Sequence, residues 1–331
     1  MEEKISEAIE VAQKIVILQA DNPDADSLGS ALALEHLLGD AGKSVYLYCG
    51  VNIPEYLRYL PGWDRVLDTL PSKFDLSLIV DASTYTLFGK LEQAGQLGWL
   101  KSKPCIVLDH HLVVEKPLDF TDLKIIDSTA ASTGDIIFDL AVSLGLHISA
   151  PAAECLMTSI LGDTQGLTND LTTAKTYRTM AGLTELGADR AKLEEQRREY
   201  GKMHEKIYTY KGDLIHKTEF HADGKIAFVH IPQAEINEYS PLYNPAPLIQ
   251  FDMLQVRGVE LAIVMKSYDD GRVTAALRSN NGTPVCGKLA EAMGGGGHAH
   301  AAGFKITDGR TYEDVKDTCL TEAAELLLRN Y

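Results

Sequence analysis

Four times in the first half of the chain an apolar run stops at a cluster of acidic or histidine side chains. These four stops constrain the fold more than any other feature. Ile-Val-Ile-Leu-Gln at 15–19 leads into Asn22, Pro23, Asp24, Ala25, Asp26 and Ser27. The run at 76–80 ends at Asp81, and the run at 105–108 ends at Asp109, His110 and His111. The apolar helical run at 155–161 ends at Gly162, Asp163 and Thr164. Short, wholly apolar runs read as strands buried on both faces. Another such run lies at 45–48, and helical patterns lie at 27–38, 132–144 and 152–161. Strands fed by crossover helices predict an α/β fold built on a doubly wound parallel sheet. Ligands bind such sheets at the carboxyl ends of the strands, so the clusters converge on one edge.

A chain of 331 residues is long enough for two domains. The spacing predicts a catalytic domain over 1–187 and a highly charged connecting helix over 188–212. A smaller α/β domain with a mixed sheet follows over 213–331. Its strands are expected at 226–231, 261–268, 273–279 and near 304–306, and its helices at 285–293 and 312–329. The formal net charge is −16, with 31 Lys+Arg against 47 Asp+Glu, which excludes sequence-independent duplex binding through many phosphate contacts. Short nucleotides remain accessible if metal ions supply the local positive charge. Five widely spaced cysteines without a C-x-x-C pair argue against a disulfide framework and a thiolate zinc site. No basic-then-apolar leader opens the sequence and no apolar stretch approaches 18 residues. The expectation is a cytoplasmic enzyme without membrane association; the sequence leaves a homodimer open.

Each cluster has a bland reading beside a chemical one. Asp24, Asp26 and Ser27 stand where a helix cap belongs, and Asp81 alone reads as a turn residue. Asp109-His110-His111 is harder to dismiss, because three ionisable groups beside a buried strand are costly unless something pairs with them. A metal held by one imidazole, with the Asp orienting it, answers that cost. Taken together the carboxylates and histidine form an oxygen/nitrogen donor set suited to Mn²⁺, Mg²⁺ or Co²⁺. One or two such ions serve phosphoryl displacement. In the second domain, Gly294, Gly295, Gly296 and Gly297 precede His298, Ala299, His300, Ala301, Ala302 and Gly303. Glycine amides can approach a phosphate without Cβ hindrance, His298 adds a donor, and Arg278 at a strand end is a bidentate phosphate partner. A flexible turn and an ordinary surface arginine are the alternatives.

In this order and spacing the residues resemble the DHH phosphoesterase superfamily, whose name is the triplet Asp109-His110-His111. The stretch 22–27 resembles its first motif, Asp81 its second and Asp163-Thr164 its fourth. The stretch 294–303 is similar to the signature of the DHH-associated C-terminal domain. The resemblance covers nearly the whole chain and is nearest the stand-alone oligoribonucleases and pAp phosphatases (nanoRNase-type). It implies a metal-dependent phosphoesterase that hydrolyses short single-stranded oligonucleotides and/or 3′-phosphoadenosine 5′-phosphate (pAp). Two alternatives are a phosphodiesterase for pApA or cyclic di-AMP type dinucleotides and a weakened nucleotide-binding protein. By the resemblance, Asp26, Asp81, His110 and Asp163 hold one metal, and Asp24 and Asp81 the other. His111, Asp109 and Arg278 are the implied catalytic residues, with Arg278, Gly295, Gly296, Gly297 and His298 on the substrate. The family's first motif opens with a ligand histidine two residues before the Asn, where this chain has Ala20. Gln165 and Leu167 replace a Gly and a Phe common in nanoRNases, beside the expected substrate position.

Overall fold

The computed structural model describes residues 1–111, 116–280 and 282–328. It divides into two compact units, Met1–Lys202 and Met203–Tyr331, each with its own apolar core.

In the first unit, six strands form a sheet in the order β3-β2-β1-β4-β5-β6. They are β1 (Lys14–Leu18), β2 (Ser44–Tyr48), β3 (Val66–Leu67), β4 (Leu76–Val80), β5 (Cys105–Asp109) and β6 (Leu123–Ile126). Every pairing is parallel, as the apolar runs predicted. The helices are α1 (Glu2–Val11), α2 (Ala25–Asp40), α3 (Gly89–Gln93), α4 (Leu97–Lys101), α5 (Thr133–Ser143), α6 (Ala150–Asp163), α7 (Ala174–Glu185) and α8 (Arg190–Tyr200). Alternation along β1 sorts its side chains between two cores. Ile15 and Ile17 pack with α2, α5 and α6, whereas Val16 and Leu18 pack with Phe88, Leu91 and Leu100. Both faces of β4 and β5 are covered, which is why these strands read as unbroken apolar runs.

In the second unit, β7 (Glu219–His221), β8 (Ile226–Ile231), β9 (Leu261–Ser267), β10 (Val273–Ser279), β11 (Gly296–His298) and β12 (Ala301–Ile306) form a sheet in the order β11-β12-β10-β9-β8-β7. The β8–β9 pairing is parallel and the rest are antiparallel, so the sheet is mixed. Its helices are α9 (Glu205–Lys217), α10 (Gln233–Tyr239), α11 (Pro245–Leu254), α12 (Cys286–Ala292) and α13 (Tyr312–Leu328).

Two expectations change in detail. The charged stretch 188–212 is two helices rather than one: α8 stops with Gly201 at its C-cap, and His204 opens α9 by accepting the Lys206 N–H at Nδ1. The glycine run is half turn and half strand, because β11 pairs Gly296 with Gly303 and Gly297 with Ala302. A Cβ at Gly295 would sit 2.6 Å from the Phe304 Cα, and one at Gly297 2.6 Å from the Ala302 Cα. Both glycines therefore answer first to close backbone approach within the sheet.

Candidate metal centre

The strand order reverses its direction of growth between β1 and β4, the position where a doubly wound sheet opens a crevice at its carboxyl edge. Asp26, Asp81 and His110 follow the carboxyl ends of β1, β4 and β5. Asp163 is brought to them from elsewhere, as the last residue of α6. Close packing of α2 on α6 makes that possible. A Cβ at Gly29 would lie 2.7 Å from the Cys155 carbonyl oxygen, and one at Gly162 would lie 2.7 Å from the Ala25 Cβ. No side chain larger than hydrogen fits at either crossing point.

Asp26 is fully buried and held from three elements. The first amides of α5 donate to it, Thr133 N–H to Oδ2 at 2.9 Å and Gly134 N–H to Oδ1 at 3.3 Å. Ser159 of α6 donates its hydroxyl to Oδ1 at 2.5 Å, and Ser30 adds another at 3.1 Å. Ser159 also accepts the Gly134 N–H and meets the Ser132 hydroxyl at 2.9 Å, so one serine ties α6 to the start of α5 and to Asp26. The sequence reading missed Ser132, Thr133 and Ser159. A signal was present: Ser159 precedes Asp163 by four residues on α6 and so shares its face.

His110 Nε2 lies 2.8 Å from Asp163 Oδ2, 3.5 Å from Asp26 Oδ2 and 3.8 Å from Asp81 Oδ1. Despite this crowding, the nitrogen is buried without an aligned hydrogen-bond partner among the described residues. Asp81 is itself strained: its backbone is left-handed at φ 56°, a region that Asp enters more readily than most residues. Burial pushes the Asp81 carboxyl well above its usual value, and the charges of Asp26, Asp24, Asp163 and Asp109 push the same way. Asp163 is raised as well, by burial first and by Asp26, against the pull of His110. Burial disfavours the His110 cation, but the close approach of Asp163 and the charges of Asp26, Asp163 and Asp109 outweigh it and raise its pKa. Asp81, Asp163 and the His110 imidazole are thus driven toward protonation, the response of a cluster short of positive charge.

His111 is different in kind. Its side chain is more than half exposed, and Nδ1 lies 2.7 Å from Asp109 Oδ1. Asp109 is almost wholly buried and also accepts the Ser83 hydroxyl and the His111 N–H. Burial would raise the Asp109 carboxyl, but the bonds from His111 and Ser83 win and hold it below its usual value. The same Asp109 bond raises His111. Asp109 therefore positions His111, fixing which ring nitrogen faces inward.

Other residues in the expected set lie differently. Asp24 is the N-cap of α2: its Oδ1 accepts the Ser27 N–H at 3.0 Å while the Ser27 hydroxyl accepts the Asp24 N–H. It is near enough to raise Asp81 but is not among the atoms that converge. Ala20, at the position of the missing histidine, is buried in the apolar cluster with Phe88 and Leu91. Asp21 is turned to α3, where Oδ2 accepts the Lys90 N–H at 2.8 Å. Gln19, fully buried, leaves both side-chain polar atoms without a partner among the described residues. In the second unit, Arg278 is exposed and its position pairs with Ala301, which in turn pairs with His298. Arg278 and His298 thus share one register row across three strands.

The residues present fit a divalent cation. Asp26, His110 and Asp163 offer ligand atoms within 4.8 Å of one another, as do Asp81, His110 and His111. The unaligned buried His110 nitrogen and the mutually repelling carboxylates are what a cation would satisfy. The donors are oxygen and nitrogen, and the five cysteines are free and buried.

Residues 14–160 match the family model for the DHH family, N-terminal domain, and residues 250–328 match the DHHA1 domain. The chain is 26% identical over 286 residues to the bifunctional oligoribonuclease and PAP phosphatase NrnA of Thermus thermophilus, covering 86% of this chain and 82% of that protein. Its fold is similar to that of an exopolyphosphatase-related protein from Bacteroides fragilis, with a TM-score of 0.84 at 24% identity, over 98% of this chain and 97% of the other. It is also similar to exonuclease RecJ bound to manganese, with a TM-score of 0.53 at 17% identity, over 98% and 93% of the two chains.

Proposed function

We propose, from the match of residues 14–160 to the DHH family, N-terminal domain, and of residues 250–328 to the DHHA1 domain, that the chain is a metal-dependent phosphoesterase acting on short single-stranded oligonucleotides and/or pAp. The observation that carries this reading is the buried meeting of Asp26, Asp81 and Asp163 with His110 at the carboxyl edge of the parallel sheet. The activity named for the Thermus relative supports the substrate class.

Asp26, His110 and Asp163 would hold the cation, with Asp81 beside them, and Mn²⁺ is the expected ion ahead of Mg²⁺ or Co²⁺. When bound, the ion supplies charge neutralisation for a phosphate and acidifies a water enough for attack on phosphorus. The chain's own residues do the rest. Thr133, Gly134 and Ser159 fix both Asp26 oxygens before any ligand arrives, so little reorganisation is left to binding. Asp109 holds His111 through Nδ1 and leaves Nε2 as the nitrogen that can pass a proton to the leaving oxygen. Arg278, the amides of Gly295, Gly296 and Gly297, and His298 are our candidates for gripping the substrate phosphate. The acidic surface fits this division of labour, since only a short substrate can dispense with a basic track. Among the described residues no helix is long and apolar enough to cross a membrane, and the free cysteines suit the cytoplasm.

The test is a panel with Mn²⁺: pAp, short RNA and DNA oligomers, pApA, cyclic di-AMP and pyrophosphate. We expect turnover of pAp or the oligomers, none of long duplex, and a loss of at least about a thousandfold in His110→Ala. Undiminished turnover in that variant would remove the reading.

A further inference from the structure

We propose that a cavity of about 480 Å³ within the first unit, lined in part by Ala25 and Gly162, the chain neighbours of Asp24 and Asp163, is a nucleobase pocket. It would take the base of a nucleotide whose phosphate lies at the carboxylate–histidine cluster, and so it rests on the phosphoesterase reading. The volume is in the range of about 300–1,000 Å³ typical of small-molecule sites.

Continuity with the cluster comes from the chain itself. Ala25, between Asp24 and Asp26, and Gly162, next to Asp163, both line the cavity. Tyr56 lines it too, and its hydroxyl donates to the Pro23 carbonyl at 3.5 Å. That contact sets the phenol beside the residue that precedes Asp24.

The lining is chemically specific. Tyr56 is 58% exposed, an aromatic ring left open in the cavity wall. Tyr59, Leu161 and Leu193 supply an apolar wall behind it. A base can stack on such a ring, whereas polyphosphate or pyrophosphate gains nothing from it. The polar edge is Gln165, whose amide carries both donors and an acceptor, the complement of a base edge. Gln165, Gly166 and Leu167 are three consecutive left-handed residues, at φ 52°, 76° and 72°. Strain at two non-glycine residues that flank one glycine persists only where surrounding structure imposes it. That structure is visible: Thr164 Oγ1 accepts the Leu167 N–H, and Arg190 Nη2 donates to the Gly166 carbonyl at 3.3 Å. Arg197 is spent on Glu194, at 2.8 and 2.9 Å, but Arg190 has no carboxylate partner among the described residues. One guanidinium therefore remains to stack on a base or meet a ribose phosphate.

Equilibrium dialysis of AMP in the presence of Mn²⁺, on the full chain, tests the pocket without requiring turnover. Tyr56→Ala opens the stacking wall and Leu161→Trp fills the cavity. Tyr56 is largely exposed, so its variant will fold even if Leu161→Trp does not. We expect both folded variants to bind AMP at least about fivefold more weakly, the lower end of a lost base-stacking contact, with Mn²⁺ affinity within about twofold of wild type. The ratio of kcat/KM for the dinucleotide ApA to that for methyl p-nitrophenyl phosphate, which has no base, should fall by a similar factor. A smaller loss of AMP binding in Tyr56→Ala overturns the proposal, and so does a matching loss of Mn²⁺ affinity. If wild type binds AMP in this way but hydrolyses neither ester, the phosphoesterase reading fails and the pocket stands.

Discussion

At the residue scale, the candidate ligands were legible because each stands where a buried apolar run stops, a place where a charge needs a reason. What supports them was not legible. Ser159 is one hydroxyl among many, and only the packing of α6 on α5 shows that it donates to Asp26 at 2.5 Å while accepting the Gly134 N–H at 2.9 Å. Partners of this kind typically carry tenfold to a hundredfold in metal affinity. Ser159→Ala should therefore weaken Mn²⁺ binding by about tenfold or more, read by titration calorimetry, while leaving His110 and Asp163 in place. Affinity equal to wild type would mean that the α5 amides and Ser30 orient Asp26 without Ser159. Asp24 shows the opposite limit. The same aspartate can cap a helix or bind an ion, and its sequence position suits both. The hydrogen bond to Ser27 shows that it caps α2 through Oδ1, a role that occupies one lone pair of that oxygen and leaves Oδ2 outside the cap.

At the element scale, the strands buried on both faces, β1, β4, β5 and β8, could be read within a residue or so, since burial dictates their composition. β6 could not, because Leu-Lys-Ile-Ile at a sheet edge is only partly buried and carries no clean pattern. α11 was hidden by Pro245 and Pro247, which sit in its first turn, where a missing N–H costs nothing. The glycine run hid β11 for a different reason: its pairing depends on close approach to β12, which periodicity cannot show. The α2–α6 contact is the element-level feature on which the metal centre depends most. Gly29→Ala would drive a Cβ to 2.7 Å from the Cys155 carbonyl and 3.0 Å from the Ser159 backbone nitrogen, and neither can rotate away. The two helices must part by some tenths of an ångström. Overpacking of this kind costs about 1–3 kcal/mol, measurable by urea unfolding. Because Asp26 rides on α2 and Asp163 on α6, Mn²⁺ affinity should fall together with stability. A loss of stability with unchanged Mn²⁺ affinity would mean that the two aspartates are set by local loops instead of by the helix crossing.

At the scale of the whole molecule, the clusters able to hold a metal lie in the first unit among the described residues. The first unit's sheet is sandwiched between two apolar clusters of its own, and the second unit has another two. The first unit also carries a destabilising element: Asp81 is buried among the charges of Asp24, Asp26, Asp109 and Asp163. A cation that binds only the folded cluster relieves that repulsion and stabilises by mass action, about 2.7 kcal/mol when its concentration is 100 times its dissociation constant. For a unit of this size each kcal/mol is worth about 2–4 °C, so Mn²⁺ should raise the melting temperature of the first unit by roughly 5–10 °C over the chelated protein. The melting of the second unit should not respond. Scanning calorimetry with EDTA and then with Mn²⁺ measures both, and His110→Ala sets the control, because it removes the nitrogen that lies within 4 Å of three carboxylates. A shift of the same size in that variant would place the ion away from His110 and separate the metal from the site. A shift confined to wild type would tie the stability of the first unit to the same four side chains that are proposed to carry the chemistry.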